Sequence, residues 1–257
     1  MQTPSPLSYE FHALTDTGRV RSNNEDAVAV NEAARLAILA DGMGGYNAGE
    51  VASNMATQYI SSEMARWLRE QGPGADAAGA RQALEDCVAN ANHAILGASL
   101  ANPQYAGMGT TIVVALFLGR RLVLGHVGDS RCYRLRAGQL GQLTRDHSWL
   151  QEQIDAGLLT PEEAAQSPQR NLVTHALGVE GDVFVEINEF PVEPQDLYIL
   201  CSDGLHDMVD DGDLAAIARQ TVSLQDKAQR MLDLANGLGG RDNISVLLVQ
   251  ASAGPAA

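Results

Sequence analysis

Short apolar runs recur along the chain and end in residues typical of turns, which is the pattern of strands in a buried β-sheet. Six of these runs are rich in β-branched residues: Leu36–Ala40, Thr111–Leu118, Leu122–Val127, Val183–Ile187, Leu197–Cys201 and Ile244–Val249. Gly119-Arg120 separates the second run from the third, and a similar break occurs at Arg136–Gln139. Both places predict β-hairpins, and therefore antiparallel pairing.

Two long segments, Ala48–Glu70 and Ala80–Leu100, carry apolar residues at spacings of three and four, as amphipathic helices do. A third such pattern lies around Ala228–Ala235. Because the first two helices follow each other with no strand between them, the order argues against a doubly wound parallel sheet. The sequence instead predicts two sheets packed face to face, with helices on the outside.

The segment from His147 to His175 interrupts this pattern of apolar strands and amphipathic helices, since it is polar and net acidic. Thr160-Pro161-Glu162-Glu163 supplies a helix N-cap, a first-turn proline and a capping-box glutamate, so the segment predicts two short helices. It is either a solvated connector or a flap beside a substrate site. Residues 1–7 and the tail from Ala251 are expected to be frayed, and residues 1–257 to form one domain.

Composition narrows the possible functions of the chain. Its 257 residues are 45% hydrophobic, enough for one sizeable core, and the net charge of −15 argues against nucleic acid as a partner. No apolar run reaches the roughly 18 residues of a membrane span. Three widely spaced cysteines form no disulfide framework, so a cytoplasmic protein is expected. The single lysine, Lys227, follows an aspartate, which excludes a Walker A loop.

Aspartates mark the ends of several predicted strands. Each alone is typical of a turn, but together they form a set: Asp26, Asp41-Gly42, Asp129-Ser130, Asp203-Gly204 and Asp242-Asn243. If these strand ends converge, their carboxylates repel one another unless divalent cations neutralise them. Oxygen-only ligands favour Mn²⁺ or Mg²⁺, and Gly42 could add its carbonyl oxygen.

Other polar residues complete this hypothesis. Arg21 could bind a phosphate by donating two N–H groups to its oxygens, or it could be a surface residue paired with Glu25. The six histidines show no metal-ligand spacing and are expected to be structural. A carboxylate-held metal pair is suited to attack of water on phosphorus, so the pattern predicts hydrolysis of a phosphate ester.

In order along the chain, the motifs resemble those of the metal-dependent protein serine/threonine phosphatases, the type 2C or PPM family, in its bacterial branch. The resemblance rests on residues 18–26, Asp41-Gly42-Met43-Gly44-Gly45, Met108-Gly109-Thr110-Thr111, Gly128-Asp129-Ser130-Arg131, residues 144–148, Ala176-Leu177-Gly178, Ser202-Asp203-Gly204-Leu205 and Asp242-Asn243-Ile244. It implies an α+β fold, a four-layer αββα sandwich of two mainly antiparallel sheets flanked by helix pairs, with residues 147–175 as the flap.

The resemblance also implies a role for each site residue. Asp41 would bridge two core metals, and the Gly42 carbonyl, Asp203 and Asp242 would complete the first. Asp26 and Glu25 would hold metal-bound waters, with Asn243 beside them. Asp129, together with Asp203, would serve a third, weaker ion. Arg21 would bind the substrate phosphate.

Two positions depart from the family pattern. Met43 stands where the animal enzymes have a histidine proposed as general acid, and Tyr46 stands where bacterial members often have a histidine. Protonation of the leaving group therefore has no assigned residue, and a metal-bound water could supply it.

The resemblance implies a phosphatase that uses a metal-activated water on phosphoserine and phosphothreonine, without a covalent phosphoenzyme. Its partners would be phosphorylated proteins, including a serine/threonine kinase and its substrates. Two alternatives remain: a pseudophosphatase that only docks partners, which predicts missing metal aspartates, and another two-metal hydrolase acting on nucleotides or phosphodiesters. Substrates, pathway and oligomeric state have no signal in the sequence.

Overall fold

A computed structural model describes residues 6–45, 48–165, 167, 169 and 172–254. The strands are β1 (Leu7–Asp16), β2 (Asp26–Asn31), β3 (Leu36–Met43), β4 (Gly109–Thr110), β5 (Ile112–Leu118), β6 (Arg121–Val127), β7 (Arg131–Arg136), β8 (Gln139–Gln142), β9 (Glu186–Pro191), β10 (Leu197–Cys201) and β11 (Ile244–Ala253). The α-helices are α1 (Ala48–Gln71), α2 (Ala77–Ala101), α3 (Trp149–Asp155), α4 (Pro161–Ala165), α5 (Asp203–His206), α6 (Asp211–Ala218) and α7 (Leu224–Gly237).

The strands form two sheets in which neighbouring strands are antiparallel. Sheet I has the order β1-β11-β10-β7-β8, and sheet II has the order β2-β3-β5-β6-β9, with β4 paired to β3. The predicted antiparallel pairing is therefore confirmed.

Alternation of side chains along the strands generates the layers. In β3, Ala37 and Leu39 join the cluster between the two sheets, while Leu36, Ile38 and Ala40 pack under α1 and α2. In sheet I, Tyr198 and Leu200 face the other sheet, and the intervening residues of β10 pack against α6 and α7. Because both faces of each sheet are covered, the central strands are apolar throughout. The four-layer αββα arrangement is confirmed.

Both predicted hairpins form. β5 and β6 are joined by Gly119-Arg120, with Gly119 at φ 59°, and β7 and β8 are joined by Ala137-Gly138, with φ values of 49° and 78°. Positive φ at both central residues of the second turn matches the twist of a two-residue hairpin.

Some predicted boundaries are wrong. The apolar run Val183–Ile187 suggested a strand, but β9 begins at Glu186, and Val183 and Val185 pack against the α1 and α2 cluster before it. The tail expected to fray from Ala251 continues β11, where residues 251–253 pair with residues 7–9 of β1. None of the helices in the described part of the chain combines the length and the apolarity needed to cross a membrane.

Candidate active site

A cavity of about 310 Å³ opens where the ends of both sheets meet. Most of its lining is polar, and every candidate site residue of the sequence analysis except Asp26 contributes to it. The lining residues are Arg21, Asn23, Glu25, Asp41, Gly42, Met43, Gly44, Thr111, Asp129, Val173, Asp203, Asp242 and Asn243. The structure thus brings together side chains that are more than 200 positions apart in the sequence.

Asp41 follows the fully buried run 36–40 of β3. Its backbone is fixed by two threonines: the Asp41 N–H donates to Thr111 Oγ1 at 3.0 Å, and the Asp41 carbonyl accepts from Thr110 Oγ1 at 2.9 Å. The threonines occur in one of the sequence motifs, but the sequence assigned them no role. Their contacts hold the strand end, and with it the carboxylate, in place.

Asp26 begins β2 and lies directly across the ladder from Asp41. It is buried, and its Oδ2 accepts a hydrogen bond of 2.8 Å from Ser202 Oγ. Its other oxygen, Oδ1, is buried without a hydrogen-bond partner among the described residues. A buried carboxylate oxygen with no donor is costly, so this atom fits a position beside a cation or a water bound to one.

Asp203 and Asp242 come from sheet I. Asp203 is the first residue of α5 and is separated from β10 by Ser202 alone, and Asp242 lies two residues before β11. Asn243 anchors the opposite loop, since its Oδ1 accepts from the Glu25 N–H at 2.8 Å and its Nδ2 donates to the Asn23 carbonyl at 2.8 Å. These bonds join the start of β11 to the loop between β1 and β2.

Arg21 makes its ion pair with Asp242 and not with Glu25. Nη2 lies 2.6 Å from Asp242 Oδ2, and the arginine side chain remains 52% exposed. The hydrogen bond to Asp242 raises the pKa of Arg21 above its usual range. The expected ion pair between Arg21 and Glu25 is therefore not formed. The guanidinium lies at the cavity, and most of its N–H donors take no part in the bond to Asp242.

Asp129 reaches the cavity from the turn after β6. It is buried, and its carbonyl lies 3.1 Å from His206 Nε2, which donates to it. Gly128, just before it, has φ 102°, and a Cβ there would lie 2.6 Å from Thr111 Cγ2. Glycine is therefore required for the turn that points the chain toward Asp129.

The aspartates disturb one another's ionisation. Burial, together with the charges of neighbouring aspartates, raises the pKa of Asp41 and Asp203 well above the usual range. Burial and Asp242 raise the pKa of Asp26 to about 6, and burial and Asp146 raise that of Asp129 to about 7. Such a set holds its full negative charge only when cations neutralise it. Its oxygen-only donors fit Mg²⁺ or Mn²⁺.

Gly42 and Met43 follow Asp41 in the chain and also line the cavity. A Cβ at Gly42 would lie 2.2 Å from the Gly49 carbonyl oxygen and 2.5 Å from that of Glu25, so the close packing admits only glycine. Met43 lines the cavity and offers no titratable group. Tyr46, the other departure from the family pattern, lies outside the described residues.

The flap segment borders a second cavity of about 310 Å³, which shares Asp129 and Asp203 with the first. Leu150 and Ile154 of α3 and Ala164 of α4 line it. The predicted capping box forms, because the Thr160 N–H donates to Glu163 Oε2 at 2.8 Å and the Glu163 N–H donates to Thr160 Oγ1 at 3.2 Å. Because the segment borders a cavity together with Asp129 and Asp203, its position favours a flap over a solvated connector.

The fold and the cavity together describe an αββα sandwich with a carboxylate centre suited to divalent cations at the ends of its sheets. Residues 17–239 match the family model described as protein phosphatase 2C. The chain belongs to the protein phosphatase 2C family.

Similar proteins of this family come from bacteria. Serine/threonine protein phosphatase PstP of Mycobacterium tuberculosis is 42% identical over 243 residues, covering 94% of this chain and 45% of PstP. The chain thus spans less than half the length of that relative. Serine/threonine phosphatase stp of Listeria welshimeri is 37% identical over 251 residues, covering 92% of this chain and 93% of its own.

Solved structures agree with this assignment. The crystal structure of M. tuberculosis PstP/Ppp superimposes with a TM-score of 0.86 at 39% identity, covering 94% of this chain and 98% of the other. The catalytic domain of PstP in complex with two manganese ions gives a TM-score of 0.84 at 37% identity, covering 96% and 99%.

Proposed function

We propose that this chain is a protein serine/threonine phosphatase that hydrolyses phosphoserine and phosphothreonine with a divalent metal pair and no covalent phosphoenzyme. The observation that carries the proposal is the convergence of Asp41, Asp129, Asp203 and Asp242 with Arg21 on one cavity. The names of the relatives support the same reaction. The family resemblance and one centre at the ends of both sheets support treating residues 1–257 as one phosphatase domain, with the flap at about 147–175.

Asp41 is proposed to bridge two cations, and Asp203, Asp242 and the Gly42 carbonyl to hold one of them. Asp26 lies across the ladder from Asp41, Glu25 lines the cavity, and both are suited to orient water bound to the cations. When bound, Mn²⁺ or Mg²⁺ would supply the positive charge that acidifies an attacking water and stabilises charge on the phosphate oxygens. The solved PstP domain with two manganese ions supports this metal count.

Arg21 is proposed to bind the substrate phosphate. One of its N–H groups is engaged by Asp242 at 2.6 Å, which fixes the position of the side chain while other donors remain for phosphate oxygens. A guanidinium can donate to two oxygens at once, so it both binds and orients the phosphoryl group.

Asp129 is proposed to hold a third, weaker cation together with Asp203. The two residues share the boundary between the main cavity and the flap cavity. A third cation held by these two residues would lie beside the flap. Since Met43 cannot donate a proton, the leaving oxygen has no assigned acid among the protein side chains.

The substrates are proposed to be phosphorylated proteins, including a serine/threonine kinase and its targets, with neither nucleic acid nor membrane as partner. The net charge of −15 supports the exclusion of nucleic acid. The three cysteines are buried and unpaired, which supports placement in the reducing cytoplasm.

Phosphate release from a phosphothreonine peptide tests the proposal. With Mn²⁺ or Mg²⁺ we expect turnover that chelator abolishes, and much slower hydrolysis of a phosphodiester such as bis-p-nitrophenyl phosphate. Full activity in excess chelator would contradict the metal mechanism. Preference for the diester would favour a different two-metal hydrolase, and binding of the peptide without turnover would favour a pseudophosphatase.

A further inference from the structure

Two histidines and a glutamate meet at the base of the flap, apart from the aspartates. His126 lies near the end of β6, and Glu186, the first residue of β9, is its partner across the ladder. His147 opens the flap, and its ring stacks on that of His126 with centroids 4.6 Å apart. Each of the three residues offers one ligand atom, and these atoms lie within 4.8 Å of one another.

The surroundings of His126 and Glu186 prepare both for coordination. His126 Nε2 lies 2.7 Å from the Arg145 carbonyl oxygen. A carbonyl only accepts, so Nε2 carries a proton, and in the neutral tautomer the lone pair is then on Nδ1. Glu186 Oε1 accepts from Asn188 Nδ2 at 2.7 Å. A backbone carbonyl behind a histidine and a donor behind a carboxylate are the outer contacts that orient metal ligands.

His147 faces the same point. Its Nε2 lies 3.7 Å from Glu186 Oε2, too long for a hydrogen bond but close to the separation of two ligands around one ion. Burial and the neighbouring imidazoles lower the pKa of His147 to about 4, so the ring is neutral at neutral pH. A neutral ring has one lone pair to give.

Two imidazole nitrogens and one carboxylate oxygen form a donor set that suits zinc and similar transition metals. Mg²⁺ prefers oxygen ligands and would select the aspartates. We propose that His126, His147 and Glu186 form a separate transition-metal site of the zinc class at the base of the flap.

This site would be linked to Asp129 through one amide. The backbone N–H of Gly128 donates to the ring atom Nδ1 of His147 at 3.2 Å, and the backbone N–H of His147 donates to the Gly128 carbonyl at 3.0 Å. Coordination through Nε2 requires the ring proton to move to Nδ1, which ends the bond from Gly128. Binding at this site therefore changes the hydrogen bonding of the residue that precedes Asp129.

Zn²⁺ titration of the full chain tests the site directly, in the presence of excess Mg²⁺ so that the aspartates are occupied. Long-range ¹H–¹⁵N spectra of the imidazole rings should show His126 Nδ1 and His147 Nε2 shifting with one equivalent of Zn²⁺. His93, exposed on α2, should not move. Shifts of every histidine alike, or none at His126 and His147, would overturn the proposal.

Calorimetry of variants gives a second readout. Glu186→Gln keeps the size of a half-exposed side chain and should weaken Zn²⁺ binding roughly tenfold or more, and His147→Asn should do the same. The matched control, His93→Asn, should bind as the parent does. Circular dichroism verifies folding of each variant. Equal Zn²⁺ affinity in the parent and in folded Glu186→Gln would overturn the assignment.

Discussion

The carboxylate centre and the histidine site at the base of the flap are both clusters of titratable groups with buried members, but burial acts on them in opposite ways. It raises the pKa values of Asp26, Asp41 and Asp129, and it lowers that of His147. In each case the charged form is disfavoured. A neutral His147 needs no ion beside it, whereas ionised aspartates repel one another. The carboxylate centre therefore requires cations, while the histidine site only admits one.

The largest expected effect follows from removing the carboxylate at the middle of this centre. Asp41→Asn should lower kcat on a phosphothreonine peptide by on the order of 10³-fold or more, because a loss of about 4 kcal/mol of transition-state stabilisation corresponds to that factor. Steady-state assays at saturating Mn²⁺ measure it. Asp182→Asn, at an exposed aspartate, is the control. Near-parental turnover of Asp41→Asn would show that the cation centre lies elsewhere.

Arg21 distinguishes substrate binding from cation binding within the same cavity. Arg21→Ala should raise KM and lower kcat/KM by roughly 2–4 kcal/mol, the effect of losing a charged hydrogen-bonding partner. Arg21→Lys should recover only part of this, since an ammonium cannot donate to two oxygens in the same planar geometry. Arg69→Ala, at an exposed position of α1, is the control. An unchanged KM would assign Arg21 to the surface.

The carboxylate centre of the metal-free protein should contribute less stability as the pH rises. The folded state holds protons on Asp26 and Asp129 more tightly than the unfolded state does, since the folded pKa values are about 6 and about 7. The contribution of these two aspartates to the free energy of unfolding should therefore fall by about 4 kcal/mol between roughly pH 5 and 8. Denaturant titrations in chelator measure this. Excess Mg²⁺ should reduce this loss, and identical profiles with and without Mg²⁺ would mean that the carboxylates do not repel one another.

Asp129 tests how the flap side of the centre contributes to catalysis. If it helps to protonate the leaving oxygen, Asp129→Asn should lose roughly tenfold more activity on a phosphothreonine peptide than on p-nitrophenyl phosphate. The alkoxide of threonine needs a proton far more than nitrophenolate does. The ratio of kcat/KM values on the two substrates measures this. Equal losses would make Asp129 a ligand with no part in proton transfer.

The two regions also differ in how far the sequence predicts them. Asp41, Asp203 and Asp242 adjoin strands of a distinctive apolar pattern, and antiparallel order brings those ends together, so the carboxylate centre could be expected. His126 and Glu186 become neighbours only through the register of β6 and β9. The sequence does not predict that register, because the apolar run from Val183 suggests a strand that begins three residues before the true start of β9 at Glu186.

Supporting contacts were missed for a related reason. Thr111 and Ser202 belong to sequence motifs, but their partners Asp41 and Asp26 are on other strands. The continuation of β11 past Ala251 likewise depends on β1, which is a long way off in the sequence. Local pattern predicts the strands and helices, while tertiary pairing decides where they end and which polar atoms meet.

The smallest expected effect is the response of the histidine site to its ion. In protein saturated with Mg²⁺, Zn²⁺ at three times its Kd should add about 0.8 kcal/mol to the free energy of unfolding, which raises Tm by roughly 2 °C in a chain of this size. Differential scanning calorimetry of the parent and of His147→Asn measures it. The variant keeps the aspartates, so any Zn²⁺ bound there stabilises both proteins equally. The difference between the two shifts belongs to the histidine site, and a difference of zero would leave the carboxylate centre as the place where Zn²⁺ acts.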